Sequence, residues 1–341
     1  MQYRKIAMLA VVLAIASGAA FAGINSKEVG AVLIYPTYQA YDGANNNVDT
    51  YISITNDKNL PIVAHFEIIG DVICDDCSFD ILLTPYQTKR LLLDRQTIGG
   101  NGLTRVYDAS GHSETGDVIS LTACSEPEGF VVVTTEDPNQ VDAYTLGENV
   151  LHGDLVLVDL SDGTSSQMGA IAVQAVGSND GNRWIEFDGL EYAKFPNIVT
   201  GNFWSPNAAV EPRLVLFNVD FETGEFPVDL NECDINYVNA EEDRFNADHN
   251  FDCYSRINLR DLAPGFIEDI LGTANGFLWA SCDEGTHGAM ITDLEDTTSN
   301  YTYPDDSQHA DTLFQSVTTT RRDAKLRLTK FVQNEEPNAK Q

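Results

Sequence analysis

The sequence has few basic residues for its length. Lys and Arg together number 20, against 52 Asp and Glu, so the formal net charge is −32. A surface this acidic repels nucleic acid and anionic lipid, because both ligands bind basic surfaces. Hydrophobic residues still make up 43% of the chain, so the acidity is not the signature of a disordered protein. We expect a folded protein with no nucleic-acid partner.

Motifs that mark common enzyme classes are absent. The chain has no Gly-x-Ser-x-Gly elbow, no His-Glu-x-x-His pair and no phosphate-binding Gly-x-x-x-x-Gly-Lys-Ser/Thr loop. The six histidines are scattered, without the spacing of metal ligands. No catalytic residue is singled out, and we predict a protein that is not an enzyme. A carbohydrate-binding protein or a hydrolase on a β scaffold is the alternative, since 52 acidic residues could contain a catalytic carboxylate pair.

Long hydrophobic runs are absent after residue 22. Residues 1–22 combine the basic Arg4 and Lys5, an apolar stretch and the small-residue ending Ala20-Phe21-Ala22. This is the pattern of a secretory signal peptide, and its apolar part is too short to span a bilayer. We expect cleavage before Gly23, a mature net charge of 18 − 52 = −34, and no later transmembrane segment. The predicted location is the cell surface or the extracellular space of a bacterium, with the periplasm as the alternative.

Six cysteines are present, an even number in a chain predicted to be exported. Three disulfides are therefore expected, although spacing alone cannot choose the pairs. The cysteines are Cys74, Cys77, Cys124, Cys233, Cys253 and Cys282. A redox or metal role for the Cys74-x-x-Cys77 pair is disfavoured, because no haem-type His follows it and no second Cys-x-x-Cys completes a zinc site.

Short β-branched and aromatic runs, separated by turn residues every 8 to 12 positions, predict antiparallel β-sandwiches. Residues 48–69 are expected to form a β-hairpin or meander around a polar turn at 56–59. Residues 155–158 and 170–174 are expected to form a second hairpin with Asp162-Gly163 at its tip. Only residues 262–271 are predicted as helix. The expected fold is all-β, with two tandem antiparallel sandwich domains and little helix.

The second half of the chain resembles the first, which indicates a tandem duplication. The run from Pro212 to Val219 matches that from Asp49 to Asn56, and four further matches follow in the same order. The predicted organisation is a signal peptide at 1–22, a first domain at 23–180, a second domain at 181–317 and a basic tail at 318–341. In this alignment Cys74 with Cys77 and Cys233 with Cys253 are equivalent bridges. Cys124 and Cys282 would then pair with each other or remain free.

A candidate calcium site lies between Cys233 and Cys253. Oxygen-bearing side chains recur there at every second position, as at the start of a calcium-binding loop. They are Asn246, Asp248, Asn250 and Asp252. Phe251 and Ile257 stand where the turn glycine and the bidentate Glu of such a loop belong. The alternative is a solvated acidic loop without a cofactor.

The C-terminal tail is basic in an otherwise acidic chain. Its basic residues include Arg321, Arg322, Lys325, Arg327 and Lys330. One interpretation is a last edge strand whose charges discourage aggregation. The other is an arm that docks on the acidic body of a neighbouring copy.

A resemblance follows from Ile52-Ser53-Ile54-Thr55-Asn56, the Pro-containing strand after it, and Leu83-Thr84-Pro85. These motifs resemble those of the immunoglobulin-like sandwich repeats of bacterial surface and secreted proteins. The resemblance implies a scaffold and supplies no catalytic residue. We therefore expect a structural or adhesion protein that is able to self-assemble, whose partners are further copies, other envelope or extracellular proteins, or glycans.

Overall fold

A computed structural model describes the chain in segments that are almost entirely β-strand. The described residues are 24–25, 29–40, 48–71, 74, 76–96, 103–109, 124, 126–136, 147–159, 165–177, 187, 189–194, 198–204, 210–219, 231–239, 244–262, 275–282, 286–294 and 319–321. The predicted signal peptide and most of the basic tail lie outside these residues.

The strands fall into an N-terminal half, β1–β11, and a C-terminal half, β12–β19. The N-terminal strands are β1 Ile24–Asn25, β2 Val32–Gln39, β3 Val48–Asn56, β4 Ile62–Gly70, β5 Asp76–Leu83, β6 Thr88–Gln96, β7 Leu103–Asp108, β8 Glu128–Glu136, β9 Leu151–Asp159, β10 Ser165–Gly169 and β11 Ile171–Val173. The C-terminal strands are β12 Ile198–Trp204, β13 Val210–Asn218, β14 Asn231–Asn239, β15 Arg244–Phe251, β16 Tyr254–Asn258, β17 Asn275–Cys282, β18 Thr286–Leu294 and β19 Thr319–Arg321.

These strands form four sheets, two in each half. The N-terminal sheets have the orders β1-β11-β2-β8-β4-β5 and β10-β9-β3-β6-β7. The C-terminal sheets have the orders β12-β17-β14-β15 and β16-β13-β18-β19. Within the described strands every ladder is antiparallel except that of β18 with β19. The expectation of a β-rich, antiparallel protein is confirmed.

Burial follows the side-chain alternation of the strands. In β4 the side chains of Ile62, Ala64, Phe66 and Ile68 are buried, and those between them are half-buried. This is the period of two that a sheet with one interior face requires. By contrast, β2 is buried along its whole length. Its Pro36 falls between Tyr35 and Tyr38, where the register with β8 shifts, so the missing N–H costs no ladder bond.

The first predicted hairpin is wrong, although its strands are present, and the second is confirmed only in part. β3 pairs with β6 and β9, whereas β4 pairs with β5 and β8 in the other sheet of the same half. The five-residue connection at 57–61 thus crosses between sheets. In the second case β9 and β10 are antiparallel partners joined across residues 160–164, which include the predicted tip. The second strand is Ser165–Gly169, however, and Ile171–Val173 leaves that sheet to pair with β2.

The registers of the two halves coincide. Ile62 pairs with Leu83 as Asn231 pairs with Phe251, and Gly70 pairs with Gly129 as Asn239 pairs with Gly276. The neighbours of β3 correspond in the same way: Thr55 pairs with Thr88 as Phe217 pairs with Tyr254. β3 and β13 have nine residues each, as do β4 and β14, and as do β9 and β18. Each position in these strands therefore has a definite counterpart in the other half.

Two hydrophobic clusters form the interior. The smaller contains Leu214, Leu216, Ile235 and Leu278 from the C-terminal half. The larger fills the N-terminal half but also includes Val215, Phe217, Val219, Cys253 and Tyr254 of the C-terminal half. The two faces of β13 thus pack into different clusters.

The described helix, α1 Leu259–Leu262, is a single turn that follows β16. It ends at the residue where the predicted helical segment begins, and residues 263–271 lie outside the described part of the chain.

Candidate interaction surfaces

All six cysteines form disulfides, as expected, but the pairing inferred from the duplication is wrong. The bonds join Cys74 to Cys253, Cys77 to Cys124 and Cys233 to Cys282. Cys233 and Cys282 are direct partners in the ladder of β14 with β17, which brings their Cα atoms to 4.1 Å. Cys253 corresponds to Gln87 rather than to Cys77. The backbone carbonyl of Cys253 accepts from the Asn218 N–H, just as the backbone carbonyl of Gln87 accepts from the Asn56 N–H.

The Cys74–Cys253 disulfide joins the two halves at a junction that polar contacts reinforce. The hydroxyl of Thr37 on β2 lies 2.7 Å from that of Tyr254 on β16, and the pair is buried. Arg256 Nη2 lies 3.2 Å from Glu128 Oε2, with both side chains mostly buried. Burial raises the pKa of Tyr254 well above its ordinary value, so this hydroxyl stays protonated.

Aromatic packing fills the centre of the junction. The ring of Phe130 on β8 stacks on Phe217 at 5.2 Å and on Tyr254 at 6.4 Å between centroids. Phe130 is completely buried, although its ladder position places it on the outward side of its sheet with Val132 and Thr134. The C-terminal half therefore covers what would otherwise be an exposed aromatic ring. Offset stacking adds to the gain from burial itself.

Three carboxylates lie beside this contact. Asp71 follows β4, and its carboxyl is close to those of Glu126 and Glu128. Burial, and then repulsion from Glu128 and Glu126, raises the pKa of Asp71 to about 6. The junction therefore contains a carboxyl group that titrates near neutral pH.

The loops at the end of β3 form a rigid tip on the N-terminal half. The side-chain amide of buried Asn56 donates to the carbonyls of Leu60, Leu83 and Thr84, which ties two turns together. The Tyr86 N–H also donates to the Lys58 carbonyl across these turns. Asp57 and Gln87 of this tip correspond to Val219 and Cys253 of the junction, because they take the same places beside Asn56 and Asn218.

The turn Thr84-Pro85-Tyr86-Gln87 presents an aromatic ring to solvent. Its backbone closes by a bond from the Gln87 N–H to the Thr84 carbonyl, and the Gln87 side-chain oxygen accepts from the Thr84 N–H. Tyr86 has φ of +55° and is 64% exposed. A left-handed residue at this turn position is normally Gly or Asn. Leu60 in the neighbouring turn is 57% exposed.

The C-terminal half exposes the counterpart of Phe130. Phe277 occupies the equivalent ladder position on β17 and is 42% exposed. Its ring stacks with that of half-buried Trp279 at 6.1 Å. Asn236 is the direct ladder partner of Trp279, and exposed Asp234 follows on the same side of the sheet. This side thus combines aromatic rings with hydrogen-bonding groups.

The residues of the candidate calcium loop lie mainly in a strand. Asn246, Asp248 and Asn250 are alternate, exposed positions of β15, and Asp252 follows its end. The prediction of a loop is wrong, because the period of two came from strand geometry. Alternate residues on a strand are about 6.6 Å apart, so these side chains do not converge as loop ligands do. Calcium binding itself stays a prediction.

The predicted docking arm is described only at its beginning. Arg321 ends β19, which pairs in parallel with β18 of the same chain. Arg322, Lys325, Arg327 and Lys330 lie outside the described residues. The interpretation of this segment as an edge strand or as an arm stays a prediction.

Neither a metal cluster nor a membrane helix emerges from the described segments. No group of three or more His, Cys, Asp or Glu is placed to hold a metal ion. No helix among these residues is long and apolar enough to cross a membrane. Comparison of the chain with family models, curated proteins and solved structures finds no match.

Sequence reasoning missed the residues of the junction. Phe130 precedes a run of valines, a pattern typical of an ordinary core residue. Tyr254 and Arg256 follow Cys253, and the cysteine pattern predicts only a disulfide there. The unusual turn position of Tyr86 could have been predicted from the sequence, because an aromatic residue directly after Thr84-Pro85 takes a position that favours Gly or Asn.

Proposed function

We propose that this chain is an exported, non-enzymatic structural protein of the cell surface or extracellular space that serves adhesion or assembly. It consists of two immunoglobulin-like β-sandwich units in tandem. The secretory signal pattern of residues 1–22 and the three disulfides support export, since disulfides persist in oxidising compartments.

The junction is the observation that carries the proposal. A disulfide, a buried hydroxyl pair, an ion pair and three aromatic rings all connect the same two β units. Enzymes that work by closure between domains need an interface that can open, whereas this one is covalently fixed. A fixed junction suits a protein that transmits force or keeps its binding surfaces at a constant spacing.

Cell fractionation tests the compartment and the role together. We expect surface labelling of intact native cells, or analysis of their medium, to find the chain with its N-terminus at Gly23. Electron microscopy with a specific antibody should place it on surface structures or in the extracellular matrix. A cytoplasmic enzyme serves as the control for lysis. Recovery of the chain with Met1 intact in the cytoplasmic fraction would overturn the proposal.

A second candidate function, glycan binding, is favoured by the side of the sheet that contains Phe277 and Trp279. Stacked aromatic rings beside Asn236 and Asp234 offer both an apolar platform and hydrogen-bonding partners for sugar hydroxyls. Retention on immobilised polysaccharides tests it. We expect Trp279→Ala to abolish any retention, whereas His65→Ala, on the corresponding side of the N-terminal half, should leave it unchanged.

A further inference from the structure

Each of the two surfaces that the junction joins has a counterpart in the other half of the chain. We define the junction face as Gly70, Glu128 and Phe130, and the junction tip as Phe217, Val219, Cys253 and Tyr254. The shared registers place Asn239, Asn275 and Phe277 at the positions of the junction face. They place Thr55, Asp57, Gln87 and Thr88 at the positions of the junction tip. We call these two sets of ladder positions the exposed face, after the exposed Phe277, and the exposed tip, in which we include the exposed Leu60 and Tyr86 of its turns.

We propose that copies of the chain associate head to tail, the exposed tip of one copy docking on the exposed face of the next. The inference rests on the proposed function and deepens it by naming the partner as a second copy. A face and a tip that differ from each other make a heterologous contact, which generates open filaments unless the rotation closes a ring.

Both surfaces expose large apolar side chains. Phe130 and Val219 are fully buried in the junction, whereas Phe277, Leu60 and Tyr86 are 42%, 57% and 64% exposed. Exposed aromatic residues in rigid settings are the usual anchors of protein interfaces. Both surfaces are also preorganised, since Asn56 ties the two turns of the tip and Trp279 supports the ring of Phe277. Docking would therefore cost little ordering entropy.

The conformation of Tyr86 is a separate argument for a partner. A non-glycine residue in the left-handed region costs about 1 kcal/mol or more, and a ring left in water returns none of it. Glycine would satisfy this turn at lower cost. An aromatic residue is explained when its ring is buried by a partner, and the described residues leave this ring 64% exposed.

The contact between copies differs from the junction in two respects. β3 presents Ser53 and Thr55 where β13 presents Val215 and Phe217, so apolar contact must come from Leu60 and Tyr86 in the turns. Gln87 stands where Cys253 forms the disulfide, so no covalent bond can form. Association between copies is therefore reversible and concentration-dependent. Salt should strengthen it, because the net charge of the mature chain, 18 − 52 = −34, makes copies repel each other.

Sedimentation analysis of the mature, oxidised protein over a range of concentrations, with electron microscopy of the same samples, tests the inference. We expect wild type to form linear multimers that grow with concentration and with salt. Tyr86→Gly should raise the concentration needed for half-association at least about tenfold, as loss of an anchor residue does. Its melting temperature should be unchanged or higher, which separates lost docking from lost folding. Phe277→Ser should weaken association by a similar factor, and Leu190→Ser, which removes an exposed residue of neither surface, should not.

Mixing the two defective variants distinguishes head-to-tail docking from other modes. Tyr86→Gly retains a working face, and Phe277→Ser retains a working tip. At a concentration at which wild type associates but the weakened contact does not form, each variant alone should be monomeric, and their mixture should form 1:1 dimers and nothing longer. A monomeric wild type, unaltered association of either variant, or a monomeric mixture would each overturn the inference. None of these outcomes changes the cell fractionation result, so failure of docking is distinguishable from failure of the proposed function.

Discussion

The two halves use the same backbone register but different side chains to close the same end. In the N-terminal half, Asn56 donates directly to the carbonyls that follow β5. In the C-terminal half, Asn218 donates to Asn231, and Asn231 donates to the corresponding carbonyls of Phe251 and Asp252. One buried amide is replaced by a relay of two. The two halves therefore share their ladder positions, whereas the side chains at these positions differ.

The disulfide within the C-terminal half offers the largest test of this comparison. Ala64 and Thr135 occupy, in the N-terminal half, the positions of Cys233 and Cys282. The double variant Cys233→Ala, Cys282→Thr should keep the fold but lose about 4 kcal/mol of unfolding free energy, because the bond closes a separation of 49 residues. Urea denaturation measures the loss. An unfolded variant would mean that the Cys233–Cys282 disulfide is needed to form the register of β14 with β17, and does not merely stabilise it.

The buried amides provide the next test. Asn56→Ala removes the donor to three carbonyls and the acceptor of the Lys58 N–H, so we expect a loss of about 3 kcal/mol. Asn218→Ala leaves Asn231 in contact with Phe251 and Asp252, so its loss should be about 1 to 2 kcal/mol. Denaturation of both variants under the same conditions gives the difference. Equal losses would contradict the relay.

The strands were predictable from the sequence, but most of their partners were not. Alternation in residues 48–56 and 62–69 predicts two half-buried strands whatever they pair with, and a five-residue connection suits a hairpin or a crossing between sheets. The correspondence of β3 with β13 was also predicted, but the alignment of Asp49–Asn56 with Pro212–Val219 is displaced by one residue, since Asn56 corresponds to Asn218. Aligning the two halves on cysteines failed, since Cys253 corresponds to Gln87. The buried asparagines Asn56 and Asn218 were the better anchors, because their ladder positions are equivalent.

The interaction surfaces were less predictable, because they depend on tertiary position. Phe130 and Phe277 have similar sequence surroundings, and only the placement of the C-terminal half makes one buried and the other exposed. The calcium prediction shows a different limitation. Oxygen-bearing residues at every second position fit both a binding loop and the solvent side of a strand, and the ladder with β14 decides for the strand.

The junction carboxyl Asp71 should make stability depend on pH. Its pKa is raised from 3.8 to about 6, so the folded state favours the protonated form. The contribution of the protonated Asp71 to the free energy of unfolding is complete below pH 4. It is lost as the pH rises through 6, because the unfolded state releases this proton at a lower pH than the folded state does. Since the group is partly solvated, we expect Asp71→Asn to gain only about 1 to 2 kcal/mol at pH 7 and nothing at pH 4. Melting temperatures at both pH values measure this, and an equal gain at both would exclude titration as the cause.

The smallest effect concerns the ladder pair that differs most in charge. His65 Nδ1 lies 2.6 Å from Asp80 Oδ1 in the N-terminal half, whereas Asp234 stands opposite Asp248 at the corresponding position of the C-terminal half. Asp234→His should replace repulsion by an ion pair and add up to about 1 kcal/mol, with a larger gain at pH 5.5, where the imidazole is charged, than at pH 8. Asp234→Asn is the matched control, since it removes the repulsion without adding a cation. If the two variants are equally stable at pH 5.5, the ion pair contributes nothing and the difference between the halves lies in the acidic residue alone.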